Sequence, residues 1–272
     1  METLDLQDQQ GPGAYQSYLN ASSAPLTCFL FTLPLFIVYH AGLWWLNNFA
    51  DLRWANAVDI AIADALGRLG MAGPLLSFIL VVVAFLLMHA VSGKSWKPPP
   101  AYTWFLMVLE SLVLALPVFM LSRLVVKVVD YLPLGLSIVD GGEEELSWRA
   151  NLILSCGAGV YEEFFFRVLV MGTMLFVMSR VLHLKGRWMY VFAAVFQALL
   201  FAASHHLPGG PEEIATRAEL REFLPVIAFR ALAGIYFAFL YIERGFGIAA
   251  GSHACYDLMV VLLDLFSPVE AG

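Results

Sequence analysis

The chain has 272 residues, of which 60% are hydrophobic and 14% are charged, whereas about a quarter of the residues of a soluble domain are charged. Its 15 Lys and Arg against 22 Asp and Glu give a net charge of -7, so it offers no basic surface for nucleic acid. These figures disfavour a soluble enzyme, a nucleic-acid-binding protein and a disordered regulator. They predict an integral, multi-pass protein of a cell membrane that contacts membrane lipid.

Seven apolar segments have the length of about 20 residues that a helix needs to cross the hydrocarbon layer. The predicted spans are Pro25 to Leu46, Gly73 to Val91, Tyr102 to Val126, Leu152 to Ser179, Trp188 to His205, Phe223 to Ile242 and Phe246 to Phe266. The expected fold class is therefore all-α, a polytopic helical membrane bundle. Lys and Arg are equally numerous in the loops on the two sides, so their distribution sets no orientation.

Residues 1–24 are expected to form a polar N-terminal segment, and residues 25–272 a single membrane domain. Between the first two spans, Asn56 to Leu69 alternates apolar and acidic positions at helical spacing. This pattern is typical of a helix that lies in the membrane interface.

Ionisable residues are costly inside the hydrocarbon layer, so each one within a span is a candidate functional residue. In the fourth span, Glu163 and Arg167 are four residues apart and share a helix face, which favours an ion pair. Glu162 projects about 100° away from Glu163. A carboxylate without a counter-charge in an apolar site binds a proton more readily, as a general base must. Two interpretations stay open: Glu162 acts as a base, or both glutamates share Arg167 as a tie between helices.

Two further motifs lie at the end of the fifth span and within the seventh. His205 follows Phe201 by four residues, and His253 and Asp257 are four apart on one helix face among small residues. The His253 and Asp257 pair suits an oriented acid and base, two metal ligands or a hydrogen-bonded tie. Spans four and seven enter from opposite sides, which places Glu162 and Asp257 at similar depths, roughly 15 Å from their own faces. We expect these groups to meet in a cavity open to the side where the fifth span ends.

Other polar residues within spans have simpler interpretations. Glu110 and Arg230 are expected to pair across the third and sixth spans, or to line an access route. His40 and His89 are expected to be hydrogen-bonded interface histidines rather than ligands. The three cysteines lack C-x-x-C spacing, so they predict buried side chains rather than a disulfide framework or a zinc cluster.

The three polar motifs together resemble the CPBP family of membrane proteins, the CaaX proteases and bacteriocin-processing proteins. The family pattern is E-E-x-x-x-R, then F-x-x-x-H, then H-x-x-x-N or a related small polar residue. Here the motifs are Glu162-Glu163-x-x-x-Arg167, Phe201-x-x-x-His205 and His253-x-x-x-Asp257. The resemblance covers about residues 150–266 and departs at Asp257, where the prenyl-protein proteases of the family carry Asn.

The resemblance implies an intramembrane endopeptidase that hydrolyses peptide bonds of membrane-embedded or lipid-modified proteins or peptides through an activated water. Glu162 would be the general base, and His205 would help to hold the water. His253 with Asp257 would steady the oxyanion or orient the site.

The same resemblance gives Glu163 and Arg167 a supporting role. A metal stays open, because Glu162, His205, His253 and Asp257 would satisfy a catalytic zinc site with an open position for water. A glutamate-activated water without metal serves equally, and the chain lacks the H-E-x-x-H motif, which favours the metal-free form.

Two non-hydrolytic alternatives use the same residues. In a transporter or lipid-binding membrane protein, the Glu, His and Asp cluster would act as an ion or proton relay. In a scaffold or immunity-type partner, the cluster would only tie helices together.

Overall fold

The computed structural model describes residues 13–49, 55–71, 75–131, 148–205 and 217–266. The regular structure in these ranges is helical, which confirms the predicted all-α membrane bundle. The helices of this described part are α1 Ala14–Ser22, α2 Pro25–Phe49, α3 Ala57–Arg68, α4 Leu76–Ser92, α5 Ala101–Tyr131, α6 Trp148–Val181, α7 Trp188–Ser204, α8 Arg217–Arg244 and α9 Phe246–Phe266. The first twelve residues of the predicted N-terminal segment lie outside the described residues, and α1 was not predicted.

Each of the seven predicted spans corresponds to an apolar helix. Helices α2, α5, α6, α8 and α9 are long and apolar enough to cross a membrane, while α4 and α7 are apolar but have 17 residues each. Large apolar side chains such as Ile37, Leu87 and Phe105 are exposed on the outside of the bundle. An exposed apolar surface of this extent is the one that lipid covers, and the protein is an integral, multi-pass membrane protein.

The predicted interfacial helix is present as α3, and its first turn is anchored in the bundle. Asn56 caps the helix, since its side-chain oxygen accepts hydrogen bonds from the backbone N–H groups of Val58 and Asp59 at 2.9 and 3.4 Å. Asp59 and Ile62 are buried. The beginning of α3 therefore packs against the spans instead of lying only on the membrane surface.

Helix α9 occupies the centre of the bundle and packs against α2, α5, α6 and α8. Its small side chains Ala249, Ala250 and Ala254 are almost completely buried. A Cβ atom added to Gly159 of α6 would lie 2.6 Å from Cβ of Ala254, so the backbones of α6 and α9 are nearly in contact. Small residues allow this approach, and it brings the motifs of the two helices together.

Helix α6 departs from regular α geometry at its polar motif. The stretches Ala158–Glu162 and Phe164–Met171 are π-helical, with hydrogen bonds from residue i to i+5. The sequence pattern predicted an ordinary α-helix here. Segments of this kind are rare and frequently occur at functional sites, and in this chain they contain or flank Glu162, Glu163 and Arg167.

Candidate active site

A cavity of about 250 Å³ lies between α6, α7, α8 and α9. Its lining includes four residues that the sequence motifs single out, namely Glu162, His205, His253 and Asp257. Arg230 of α8 also lines it. The four motif residues come from three helices, so the fold brings together side chains that are far apart in the sequence.

Glu162 lies at the cavity with its two carboxylate oxygens in different surroundings. Oε1 accepts a hydrogen bond of 2.9 Å from Nδ2 of Asn56. Oε2 lies 4.0 Å from Nε2 of His253. The residue is only 8% exposed, so one oxygen is held by an amide while the other faces an imidazole.

His253 is held in position on two sides. Its Nδ1 lies 2.8 Å from Oε1 of Glu163, and its ring stacks on that of Phe237 with centroids 4.6 Å apart. Because a carboxylate oxygen accepts, Nδ1 must carry the hydrogen of this bond. Nε2 is therefore turned toward Glu162 and toward Oδ2 of Asp257, 3.6 Å away.

The predicted ion pair between Glu163 and Arg167 is present, with Oε2 3.0 Å from Nε and both side chains fully buried. The guanidinium also donates to the backbone oxygen of Gly234 at 3.4 Å and lies 5.2 Å from the centre of the Phe201 ring. Glu163 thus joins Arg167 to His253, and its charge is matched by Arg167.

His205 follows the last residue of α7 and is half-buried at the cavity. Its Nδ1 lies 2.9 Å from the backbone oxygen of Phe201. A carbonyl oxygen accepts, so Nδ1 donates, and in the neutral ring Nε2 carries the lone pair. The Phe201 ring packs edge-on against His205, and its centre lies 6.3 Å from that of the His253 ring. The aromatic ring of the F-x-x-x-H motif therefore contacts both imidazoles.

The structure brings Asn56 to the site, a residue that sequence reasoning left out of it. Sequence analysis placed it at the beginning of an interfacial helix. In the structure its amide reaches Glu162, 106 positions further along the chain. Nothing in the spacing of the motifs predicts this contact.

The predicted pairing of Glu110 with Arg230 is wrong. Glu110 binds Arg244, whose Nη2 donates to Oε2 at 2.8 Å, and the Tyr18 hydroxyl donates to the same oxygen. Arg244 ends α8 on the side where α5 begins, so it reaches Glu110. Arg230 lies in the opposite half of α8, where it lines the cavity.

His40 and His89 are hydrogen-bonded, as expected. Nε2 of His40 lies 2.7 Å from the hydroxyl of Tyr161, and Nδ1 of His89 accepts a hydrogen bond from the backbone N–H of Leu26 at 3.4 Å. Cys28 and Cys156 are buried, Cys255 is partly buried, and all are free thiols.

Sequence analysis left open whether a metal ion binds at the site. No group of three or more His, Cys, Asp or Glu side chains in this part of the chain is spaced to hold one. Oε1 of Glu162 is engaged by the amide of Asn56. Nε2 of His253 lies 4.0 Å from Oε2 of Glu162 and 3.6 Å from Oδ2 of Asp257.

Fold and site define a multi-pass membrane protein whose spans bury carboxylates and imidazoles around one cavity, the groups that general acid–base chemistry uses. Residues 144–259 match a protein-family model described as type II CAAX prenyl endopeptidase, Rce1-like. Over this segment the chain is similar to the CAAX proteases, the family that its sequence motifs resemble. Comparisons with curated proteins and with solved structures gave no match.

Proposed function

We propose that this protein is an intramembrane endopeptidase that hydrolyses peptide bonds of membrane-embedded or lipid-modified proteins. The observation that carries the proposal is the single cavity lined by Glu162, His205, His253 and Asp257. The similarity of residues 144–259 to a family model named for CAAX prenyl endopeptidases supports it. That name also favours a prenylated protein as the substrate.

In the proposed reaction a water molecule lies between Glu162 and His205. Oε2 of Glu162 takes a proton as the water oxygen attacks the carbonyl carbon of the scissile peptide bond. Nε2 of His205 accepts a hydrogen bond from the same water and orients it. A general base placed in this way contributes about 10² to 10⁴-fold to the rate.

The attack places negative charge on the carbonyl oxygen, and His253 is suited to stabilise it. In its doubly protonated form the ring donates from Nδ1 to Glu163 and from Nε2 to the oxyanion. Asp257, 3.6 Å from Nε2, orients the ring. When the intermediate collapses, the C–N bond breaks and the proton held by Glu162 passes to the leaving amine.

The test is cleavage of a prenylated peptide and its unprenylated counterpart by the purified protein in lipid vesicles. Glu162→Gln and His205→Ala should abolish cleavage while the protein still folds, because each removes a group that activates water. Glu243→Gln is the matched control, since Glu243 is an exposed glutamate of α8 away from the cavity. We expect it to cleave at the wild-type rate, and we expect the prenylated peptide to be preferred.

Retained cleavage by Glu162→Gln would remove the general base from the proposal. A solute flux into vesicles that depends on Glu162, without cleavage of any membrane peptide, would favour the transporter alternative instead.

A further inference from the structure

The contact between Asn56 and Glu162 joins the cavity to a part of the chain outside the segment that matches the family model. Asn56 precedes α3, whereas the matched segment begins at residue 144. Both partners are buried, with 9% and 8% exposure. A hydrogen bond of 2.9 Å between buried groups, one of them a carboxylate, is stronger than a neutral pair and costly to leave unmade.

The Asn56 side chain makes two different interactions at once. Its Oδ1 caps α3 by accepting from the backbone N–H of Val58, and its Nδ2 donates to Oε1 of Glu162. Ser and Asp are also good helix caps, but Ser is shorter and Asp has no N–H to donate. Among these cap residues, Asn is the one that both begins the helix and donates to the carboxylate.

A network of hydroxyl and carboxylate groups fixes the position from which Asn56 donates. The hydroxyl of Tyr39, on α2, accepts from the backbone N–H of Asn56 at 2.8 Å and donates to Asp59 at 2.9 Å. Ser77, on α4, donates to Asp59 and lies 3.3 Å from the hydroxyl of Tyr161 on α6. Three helices, α2, α4 and α6, therefore hold the first turn of α3 beside the cavity.

From this geometry we infer that Asn56 is a positioning residue for Glu162 and that the first turn of α3 completes the active site. The amide holds Oε1, so that Oε2 faces His253 and the water. The inference rests on the proposed function, in which Glu162 is the base. It adds to that site a residue from outside the matched segment.

The test compares kcat and KM for Asn56→Asp and Asn56→Ser with the wild type. Both variants keep a capping side chain and lose the donor to Glu162. We expect kcat to fall about 10- to 100-fold, as is typical when a partner that orients an active-site group is removed. KM should stay within about twofold, because Asn56 does not touch the substrate.

Asp64→Asn is the matched control on the same helix. Asp64 pairs with Arg68 at 2.8 Å on the exposed side of α3, so this change perturbs the helix without reaching the cavity. We expect its kcat to equal that of the wild type. An equal loss in this control would show that α3 stability, not positioning, sets the rate, and would overturn the inference.

A double variant tests the contact independently of catalysis. Asn56→Asp places two acceptors against each other, and adding Glu162→Gln restores one amide donor to the pair. Asn56→Asp alone should lower the Tm in detergent, and the double variant should recover it while remaining inactive. Wild-type kcat in both Asn56 variants, or no recovery of the Tm, would overturn the inference. Cleavage by Glu162→Gln alone would contradict the proposed base itself, a result distinct from these.

Discussion

Asp257 presents its carboxylate to Nε2 of His253 at 3.6 Å, at a position where prenyl-protein proteases of the family carry Asn. The two side chains have the same shape, and either one presents an oxygen to the imidazole. They differ in charge, and a carboxylate is a usual zinc ligand whereas a carboxamide is not. Exchanging one for the other therefore tests the metal-ligand role, one of the three that the sequence left open.

We predict that Asp257→Asn keeps kcat/KM within about tenfold of the wild type, because the change keeps an oxygen beside the imidazole and alters a single polar contact. Asp257→Leu should lose activity, since it removes the acceptor. Dialysis of the wild type against a chelator should leave cleavage unchanged. Steady-state cleavage of the prenylated peptide measures all three. An inactive Asn variant together with a wild type that requires added Zn²⁺ would assign Asp257 as a metal ligand.

The residues of the site differ in how far sequence predicts them. Glu162, His205 and His253 are predictable because an ionisable side chain in an apolar span needs a special reason to be there. Asn56 is neutral and begins a helix, so capping explains it without any site. The partner of Glu110 depends on which arginine of α8 lies at its depth. Sequence analysis paired Glu110 with Arg230, which is wrong, because Arg244 is the one that reaches it.

At the scale of elements, the site depends on the close contact between α6 and α9. A Cβ atom at Gly159 would lie 2.6 Å from Cβ and 2.8 Å from the backbone nitrogen of Ala254. Because this nitrogen belongs to the backbone of α9, the whole of α9 would have to move. His253 immediately precedes Ala254, so the movement would be transmitted to its 2.8 Å contact with Glu163.

We predict that Gly159→Ala lowers kcat about 100-fold, the typical cost of a displacement of about 1 Å at a catalytic group. Gly172→Ala, on the same helix, is the matched control, because its Cβ would meet only the backbone oxygen of Arg167, at 3.7 Å. It should retain wild-type kcat. Equal activity of the two variants would mean that the contact between α6 and α9 does not set the geometry of the site.

The existence of the spans is predictable from apolar length alone, because every backbone group in lipid must be hydrogen-bonded within its own helix. The π-helical stretches of α6 cannot be predicted in this way, since they change which backbone groups form hydrogen bonds without changing the apolar pattern. The first helix, Ala14–Ser22, was missed for a different reason. It is amphipathic and short, and it packs against α2 and α5, so its partners decide its structure.

At the scale of the whole molecule, the bundle carries charged side chains inside it at two separate places. The cavity is lined by the middle of α8, from Val226 to Phe237, and includes Arg230. Arg244 ends the same helix fourteen residues later, about 21 Å away along a helix. There it binds Glu110 of α5 and the hydroxyl of Ser22 at the end of α1. The second cluster thus ties three helices together far from the proposed reaction.

We predict that Arg244→Met lowers the free energy of unfolding by about 2 kcal/mol, less than the loss for a fully buried pair because Glu110 is partly hydrated. The Tm should fall by roughly 4–8 °C, as measured by thermal unfolding in detergent. Since Arg244 does not line the cavity, kcat measured below the Tm of both proteins should equal that of the wild type. Adding Glu110→Gln to Arg244→Met should recover part of the Tm, because no unpaired carboxylate remains. A lowered kcat in a folded Arg244→Met protein would instead mean that the two ends of the bundle are coupled through α8.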